Sequence, residues 1–246
     1  MPQHGFARNS NWEFLGKSST ESLGTDRKEG DDTIKLDFGL THTMLSEEFR
    51  KAWPYEFDLV YSVTLNKEGL GTSLQVQNTG SQNFEFQVLM HTYLSVDVRL
   101  WSYLHVYGFI WLTKFTKQDI SKIRINNLES KTYVDKTQDS ATQTESQSAL
   151  PITQETDRVY QSLDPKVPII VSTADTNKPL FSITRETLTD VVIWNPWIEK
   201  AKSIADFGPD EAYQKMICVE AGSVTGWQTL EAGDSWEGGQ SIRPGL

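Results

Sequence analysis

The chain alternates. From Phe57 to Leu65 the apolar residues Phe57, Leu59, Tyr61, Val63 and Leu65 fall on one face, and Glu56, Asp58, Ser62 and Thr64 fall mostly on the other. A period of two over this length is the signature of a strand with one buried face. Asn66 to Gly71 reads as a turn, Leu74 and Val76 resume the period, and Asn78-Thr79-Gly80 breaks it again. Phe84, Phe86, Val88 and Met90 form the next apolar face, opposite Glu85, Gln87, Leu89 and His91, so that three consecutive strands make a meander. Further strands are expected at Ile123 to Ile125, Pro168 to Thr173, Leu180 to Arg185, Asp190 to Trp194, Lys215 to Glu220 and Ser235 to Ile242.

Helical signals are sparse: Trp197 to Phe207 after Pro196, ended by Gly208-Pro209, and a turn over Asp210 to Gln214. Asp135 to Ala149, rich in Ser, Thr and Gln and without period, reads as a mobile loop. Val98 to Gln118 is dense in aromatic and aliphatic residues yet interrupted by Arg99 and His105, too short and too broken for a membrane span. The expectation is one all-β domain over residues 1–246, a large antiparallel sandwich with an atypical insertion at 98–118.

Composition narrows the function. A chain of 246 residues can bury a core without metal or disulfide, and its single cysteine, Cys218, forms no intrachain bridge. With no signal-peptide pattern at the start, a reducing, cytoplasmic setting is expected. A net charge of −10 argues against nucleic acid, whose binding rests on Lys and Arg neutralising phosphates. A small anion stays open, because one or two placed arginines outweigh a diffuse acidic surface at contact distance. Of the aromatic residues, eight Trp among them, most are expected in the core.

No HExxH, CxxC, P-loop or GxSxG is present, so metal, nucleotide and serine-hydrolase chemistries start low. Taken one at a time, His91 at a strand end, Glu220 before Ala221-Gly222 and Arg8 near the start each read more readily as structural than as catalytic.

Their company changes that. Pro2-Gln3-His4-Gly5-Phe6-Ala7-Arg8, His91-Thr92-Tyr93, Glu155-Thr156-Asp157-Arg158-Val159-Tyr160, Trp194-Asn195-Pro196-Trp197, Ala205-Asp206-Phe207-Gly208, Cys218-Val219-Glu220 and Trp236-Glu237-Gly238-Gly239-Gln240 occur in this order. The series resembles the glucose-6-phosphate 1-epimerases (hexose-6-phosphate mutarotases) of the aldose 1-epimerase superfamily. The resemblance implies a twisted, galactose mutarotase-like supersandwich with its site on a concave face. It implies His91 as general acid and Glu220 as general base, with Gln3, Arg8 and Asp157 contacting the sugar phosphate and His4 as an additional polar group.

The implied reaction interconverts the α and β anomers of glucose-6-phosphate or a related hexose-6-phosphate, with no cofactor, no metal, no membrane and a monomeric protein. Opening a pyranose removes a proton from the anomeric hydroxyl and delivers one to the ring oxygen. A carboxylate near its ordinary pKa of ~4.3 would take the first, and an imidazole near ~6.5 would supply the second.

The chain departs from the family pattern twice. That pattern begins upstream of the PQHGFAR segment with strands and a further arginine, and it runs from the HTY strand almost directly to a segment like Asp119-Ile120-Ser121-Lys122. The interposed Val98 to Gln118 is read as a translated intron, or else as a loop packed over the site near His91. Two other functions compete: a non-catalytic sugar-phosphate-binding remnant of the same fold, and a carbohydrate lyase or hydrolase on a related sandwich.

Overall fold

A computed structural model describes residues 1–2, 4–19, 32–96, 103–106, 109–112 and 119–245. The chain enters through β1 (Glu13–Ser19) and β2 (Ile34–Thr41), then a short helix α1 (Glu47–Ala52), and β3 (Phe57–Asn66), β4 (Gly69–Asn78), β5 (Phe84–Met90) and β6 (Tyr93–Ser95). After β7 (Tyr103–Val106) and β8 (Phe109–Leu112) come β9 (Ile123–Asn126), β10 (Thr132–Asp135), β11 (Ala141–Thr144), β12 (Ala149–Pro151) and β13 (Thr156–Tyr160). The last third holds β14 (Ile169–Thr173), β15 (Pro179–Glu186), β16 (Asp190–Asn195), α2 (Trp197–Ser203), β17 (Met216–Leu230) and β18 (Ser235–Pro244).

Among the described residues two large antiparallel sheets result, with β7 and β8 forming a separate two-stranded one. The nine-stranded sheet has the order β1-β2-β3-β4-β18-β15-β14-β9-β12, and the seven-stranded sheet runs β11-β10-β13-β16-β17-β5 with β6 also paired to β17. The expected all-β sandwich is therefore the observed one. No helix among the described residues is long and apolar enough to cross a membrane.

The alternation predicted from sequence is what closes the sandwich. Phe84, Phe86, Val88 and Met90 on β5 are all buried between exposed or half-buried neighbours, and they pack with Phe57, Leu59, Val76 and Leu230. A second apolar cluster, around Ile123, Ile125, Ile183, Ile193, Ile217 and Val219, fills the other end. The β3–β4 hairpin turns where Asn66 Oδ1 accepts from the backbone N–H of Glu68 at 2.9 Å and of Gly69 at 3.2 Å. Gly69 has φ +147° and lies so close to the Ile242 carbonyl that a Cβ would collide with it, so no other residue fits there.

Several expectations are corrected. Asp135 to Ala149 is not a loop: it contains β11, paired in register with β10 from Thr132 opposite Thr144 to Asp135 opposite Ala141. The lack of an apolar period there misleads because what holds the segment down is polar. Glu145, 3% exposed, accepts from Arg158 Nη1 at 2.9 Å, from the Tyr160 hydroxyl at 2.7 Å and from the Gln147 N–H at 2.9 Å. The same guanidinium reaches Asp135 Oδ2 at 3.4 Å and lies 4.6 Å over the Tyr133 ring.

Ser62, expected on the solvent side, is buried because its hydroxyl bonds to Asp37 Oδ1. The last strand-forming stretch before β18 is far longer than Lys215 to Glu220: β17 continues to Leu230 through a register shift between Ser223 and Gln228. Asp190 stabilises that bulge, accepting from the N–H groups of Val224 at 2.8 Å and Thr225 at 2.6 Å. Helix α2 stops at Ser203 rather than reaching Phe207, as Ile204 turns extended.

Within the expected insertion, β7 and β8 pair with one another, Tyr103 opposite Leu112. The choice between translated intron and inserted loop falls on a segment most of which lies outside the described residues, as does Gln3.

Removing the Glu145 carboxylate would leave the Arg158 guanidinium and the Tyr160 hydroxyl facing one another without their acceptor. We expect Glu145→Ala to lower unfolding free energy by about 3 kcal/mol in chemical denaturation. Substitution of the exposed Gln147 side chain on the same segment should change it by less than about 0.5 kcal/mol.

Candidate active site on the outer face of the seven-stranded sheet

Strand β17 sets the floor. Ile217 and Val219 belong to the apolar cluster between the sheets, so the side chains of Cys218 and Glu220 point to the opposite, outer face. Register then places neighbours. Cys218 stands opposite Trp194 on β16 and opposite Tyr93 on β6, and Trp194 stands opposite Asp157 on β13. The N–H of Lys136, just past β10, bonds to the Asp157 carbonyl at 2.8 Å. His91 lies in the break between β5 and β6, one residue after Met90, which faces the core.

The pair expected from sequence is brought together: His91 Nδ1 lies 3.4 Å from Glu220 Oε1. The two side chains are unequal. Glu220 is 3% exposed and His91 is 34% exposed, so the carboxyl is walled in while the imidazole meets solvent. His91 has polar neighbours in Glu220 and His4, as its strand pattern suggested, and an aromatic wall as well. Its ring stacks on Tyr93 at 5.1 Å, meets Trp194 edge-on at 6.2 Å, and has the His4 ring 5.4 Å away. Phe207, brought round by the chain after α2, extends the aromatic wall against Trp194 at 6.4 Å.

Burial also changes the charge states. Glu220 does not stay near the ordinary carboxylate pKa: desolvation, with the negative charge of Asp157 adding and Lys136 opposing, pushes it up to about 8. His91 is lowered, first by desolvation and then by His4 and Arg8. His4 is lowered by burial and by the positive charges of Arg8 and Lys136, with Asp157 opposing. Asp157 itself is raised by burial, against the pull of Lys136. At neutral pH both Glu220 and His91 are therefore uncharged, and the pair carries one exchangeable proton. The expectation of an ionised Glu220 in the free site is overturned by the same burial that holds it in place.

Arg8, exposed on the short 3-10 turn Ala7–Asn9, is near enough to depress both histidines, and Asp157 faces Lys136 and Glu220. Arg8, Asp157, His91 and Glu220 thus share one electrostatic neighbourhood, as the sequence suggested; Gln3 lies outside the described residues. Sequence reasoning missed Lys136 and the aromatic wall of Tyr93, Trp194 and Phe207. Trp194 and Phe207 do sit inside motifs recognised from sequence, and Tyr93 follows His91 by two, which is the available signal. Lys136 carries none, since only strand pairing sets it beside Asp157.

Such a site can hold a polyhydroxylated ring against aromatic faces, offer cations to an anion at Arg8 and Lys136, and move one proton on and off a buried carboxyl.

Comparison with known proteins identifies the family. The family model described as aldose 1-epimerase matches residues 1–243. A Cenchrus ciliaris protein named "Putative glucose-6-phosphate 1-epimerase" is 31% identical over 239 residues, covering 97% of this chain and 63% of that protein. An Escherichia coli K12 protein of the same name is 26% identical over 243 residues, covering 99% of this chain and 68% of its own. The fold matches the crystal structure of a "putative mutarotase" from Salmonella typhimurium with a TM-score of 0.70 at 22% identity, over 99% of this chain and 68% of that one. The chain thus spans 63% and 68% of the length of the two sequence relatives. With the family match running from the first residue almost to the last, and with a buried carboxyl and an imidazole paired on the outer face of the sheet, this chain belongs to the aldose 1-epimerase family.

Proposed function

We propose that the protein interconverts the α and β anomers of a hexose-6-phosphate, glucose-6-phosphate being the reading that the named relatives favour. The observation that carries the proposal is the His91–Glu220 pair, 3.4 Å apart, with the carboxyl raised and the imidazole lowered so that they share one proton.

The proton count suits the chemistry. A neutral carboxyl with a neutral imidazole, and a carboxylate with an imidazolium, differ only in where one proton sits. In the second arrangement Glu220 accepts the proton of the anomeric hydroxyl while His91 donates to the ring oxygen, and the C1–O5 bond breaks to give the open aldehyde. Rotation about C1–C2 presents the other carbonyl face. The imidazole then removes the proton from the O5 hydroxyl as that oxygen attacks C1, and the carboxyl returns a proton to the new anomeric oxygen. The pair ends as it began, and no external acid or base is consumed. Neither partner can be removed without breaking the cycle.

Arg8 suits the phosphate because a guanidinium fork donates two hydrogen bonds to adjacent oxygens, and Lys136 adds a second positive charge. Tyr93, with its hydroxyl pushed up to about 12, stays protonated throughout the working range and can serve as a hydrogen-bond donor beside its stacking role. Asp157, on the same face, would accept hydrogen bonds from sugar hydroxyls.

Freshly dissolved α-glucose-6-phosphate, followed by NMR for the β anomer against buffer, tests the reading. The wild-type protein relaxes the mixture faster than buffer, and Glu220→Gln or His91→Ala slows it by roughly 10²–10⁴-fold. A folded wild-type protein running at the buffer rate would turn the reading to a binding role.

The pH profile follows from the shared proton. Below the lowered His91 pKa both groups are protonated and the base is lost; above about 8 the proton leaves Glu220 while His91 is neutral, and the acid is lost. The rate is therefore bell-shaped, with an acid limb under ~6.5 and a basic limb near 8, both belonging to the pair. A profile that rises through pH 5 and stays flat to pH 10 contradicts it. Arg8→Ala raises KM about tenfold for the phosphate ester, with kcat within about threefold, as expected for a lost charged hydrogen bond.

A further inference from the structure

Directly behind His91, Thr92 joins three strands from both sheets. Its hydroxyl donates to the Met90 carbonyl at 3.2 Å, closing the end of β5. Its carbonyl accepts from the N–H of Val219 at 3.3 Å, next to Glu220 on β17. Its Oγ1 also accepts from Gln240 Nε2 at 2.8 Å, and Gln240 belongs to β18 in the opposite sheet. One residue therefore fixes the backbone of the imidazole and the backbone of the carboxyl, and is itself held across the sandwich.

The direction of this chain is determined. A hydroxyl has one proton, and that of Thr92 is given to Met90, so the Gln240 amide must present N–H to Thr92 and turn its oxygen the other way. Gln240 is 6% exposed and that Oε1 has no partner. The residue opposite it across β15–β18 is Arg185, 4% exposed, whose Nη1 likewise has none. The rest of the guanidinium is occupied, Nε by the Leu188 carbonyl at 3.3 Å and Nη2 by the Asp164 carbonyl at 2.8 Å and the Val167 carbonyl at 3.4 Å. Donors and acceptors run one way, from the Gln240 amide through the Thr92 hydroxyl to the Met90 carbonyl. Such a chain strengthens each of its bonds by polarising the next.

The geometry points to Gln240 as a positioning residue: through Thr92 it sets the separation of His91 and Glu220 from across the sandwich. Gln240 faces the interior while the pair faces out. The inference rests on the epimerase reading for its kinetic form, but the strut itself does not.

A double-mutant cycle tests it. Gln240→Met keeps the volume and removes the donor; Thr92→Val removes the acceptor. Each lowers kcat roughly tenfold with KM within about twofold, because misplacing a catalytic pair costs the chemical step rather than binding. The double variant loses no more than Thr92→Val alone, since that variant already breaks the Gln240 link along with the bond to Met90, and Thr92→Ser, which keeps the hydroxyl, recovers most of the rate. A Gln240→Met enzyme with wild-type kcat, or losses that multiply in the double variant, overturns the proposal. If Gln240→Met does not fold, Thr92→Val against Thr92→Ser carries the same comparison.

If the wild-type protein shows no rate above buffer, the epimerase reading fails and the strut is judged without substrate, by the NMR signals of the His91 imidazole. They shift and titrate alike in Gln240→Met and Thr92→Val but not in Thr92→Ser. Spectra unchanged in all three overturn the strut as well.

Discussion

The site depends on where β17 puts Glu220. Ile217, Val219 and Ala221 face the interior, and the pleat leaves Glu220 on the outer face but only 3% exposed, enclosed by its neighbours there. Leaving water disfavours the charged form of a carboxyl, and Asp157 adds to the effect. Moving the carboxyl to the surface would return it to the ordinary carboxylate range and leave it ionised. A carboxyl that holds its proton at neutral pH is thus a property of the strand's position in the sheet, not of the residue alone.

Everything around the pair has a role relative to that constraint. The aromatic rings of Tyr93 and Trp194 exclude water beside His91 without supplying charge, so the imidazole is lowered and the carboxyl raised together. Two neutral partners are what a buried site tolerates most easily, since an unpaired buried charge is costly. The positive charges lie at the margin instead. Arg8 is on an exposed turn and Lys136 is beyond the end of β10, where both stay solvated.

How much of this was legible in the sequence varies by residue and for physical reasons. The alternation of Phe84, Phe86, Val88 and Met90 predicted β5 and its buried face correctly, because apolar burial leaves a period. The segment 135–149 was misread because Glu145, Arg158 and Tyr160 hold it by hydrogen bonds, and polar anchoring has no period. His91 and Glu220 could be named only from motifs in order, since strands far apart in sequence are brought together by pairing that spacing does not encode. Lys136 was invisible for the same reason. The charge state of Glu220 was expected wrongly because a reference pKa belongs to a solvated carboxyl, and only the fold reveals how dry the position is.

The most direct test of the central claim is the infrared spectrum of the protein across pH, with Glu220→Gln as the difference reference. A protonated-carboxyl stretch assigned to Glu220 should be present at pH 7, disappear as the pH rises through about 8, and be absent from the variant. A Glu220 carboxylate already ionised at pH 6 would contradict the shared-proton pair, and with it the account of how this site performs acid–base chemistry.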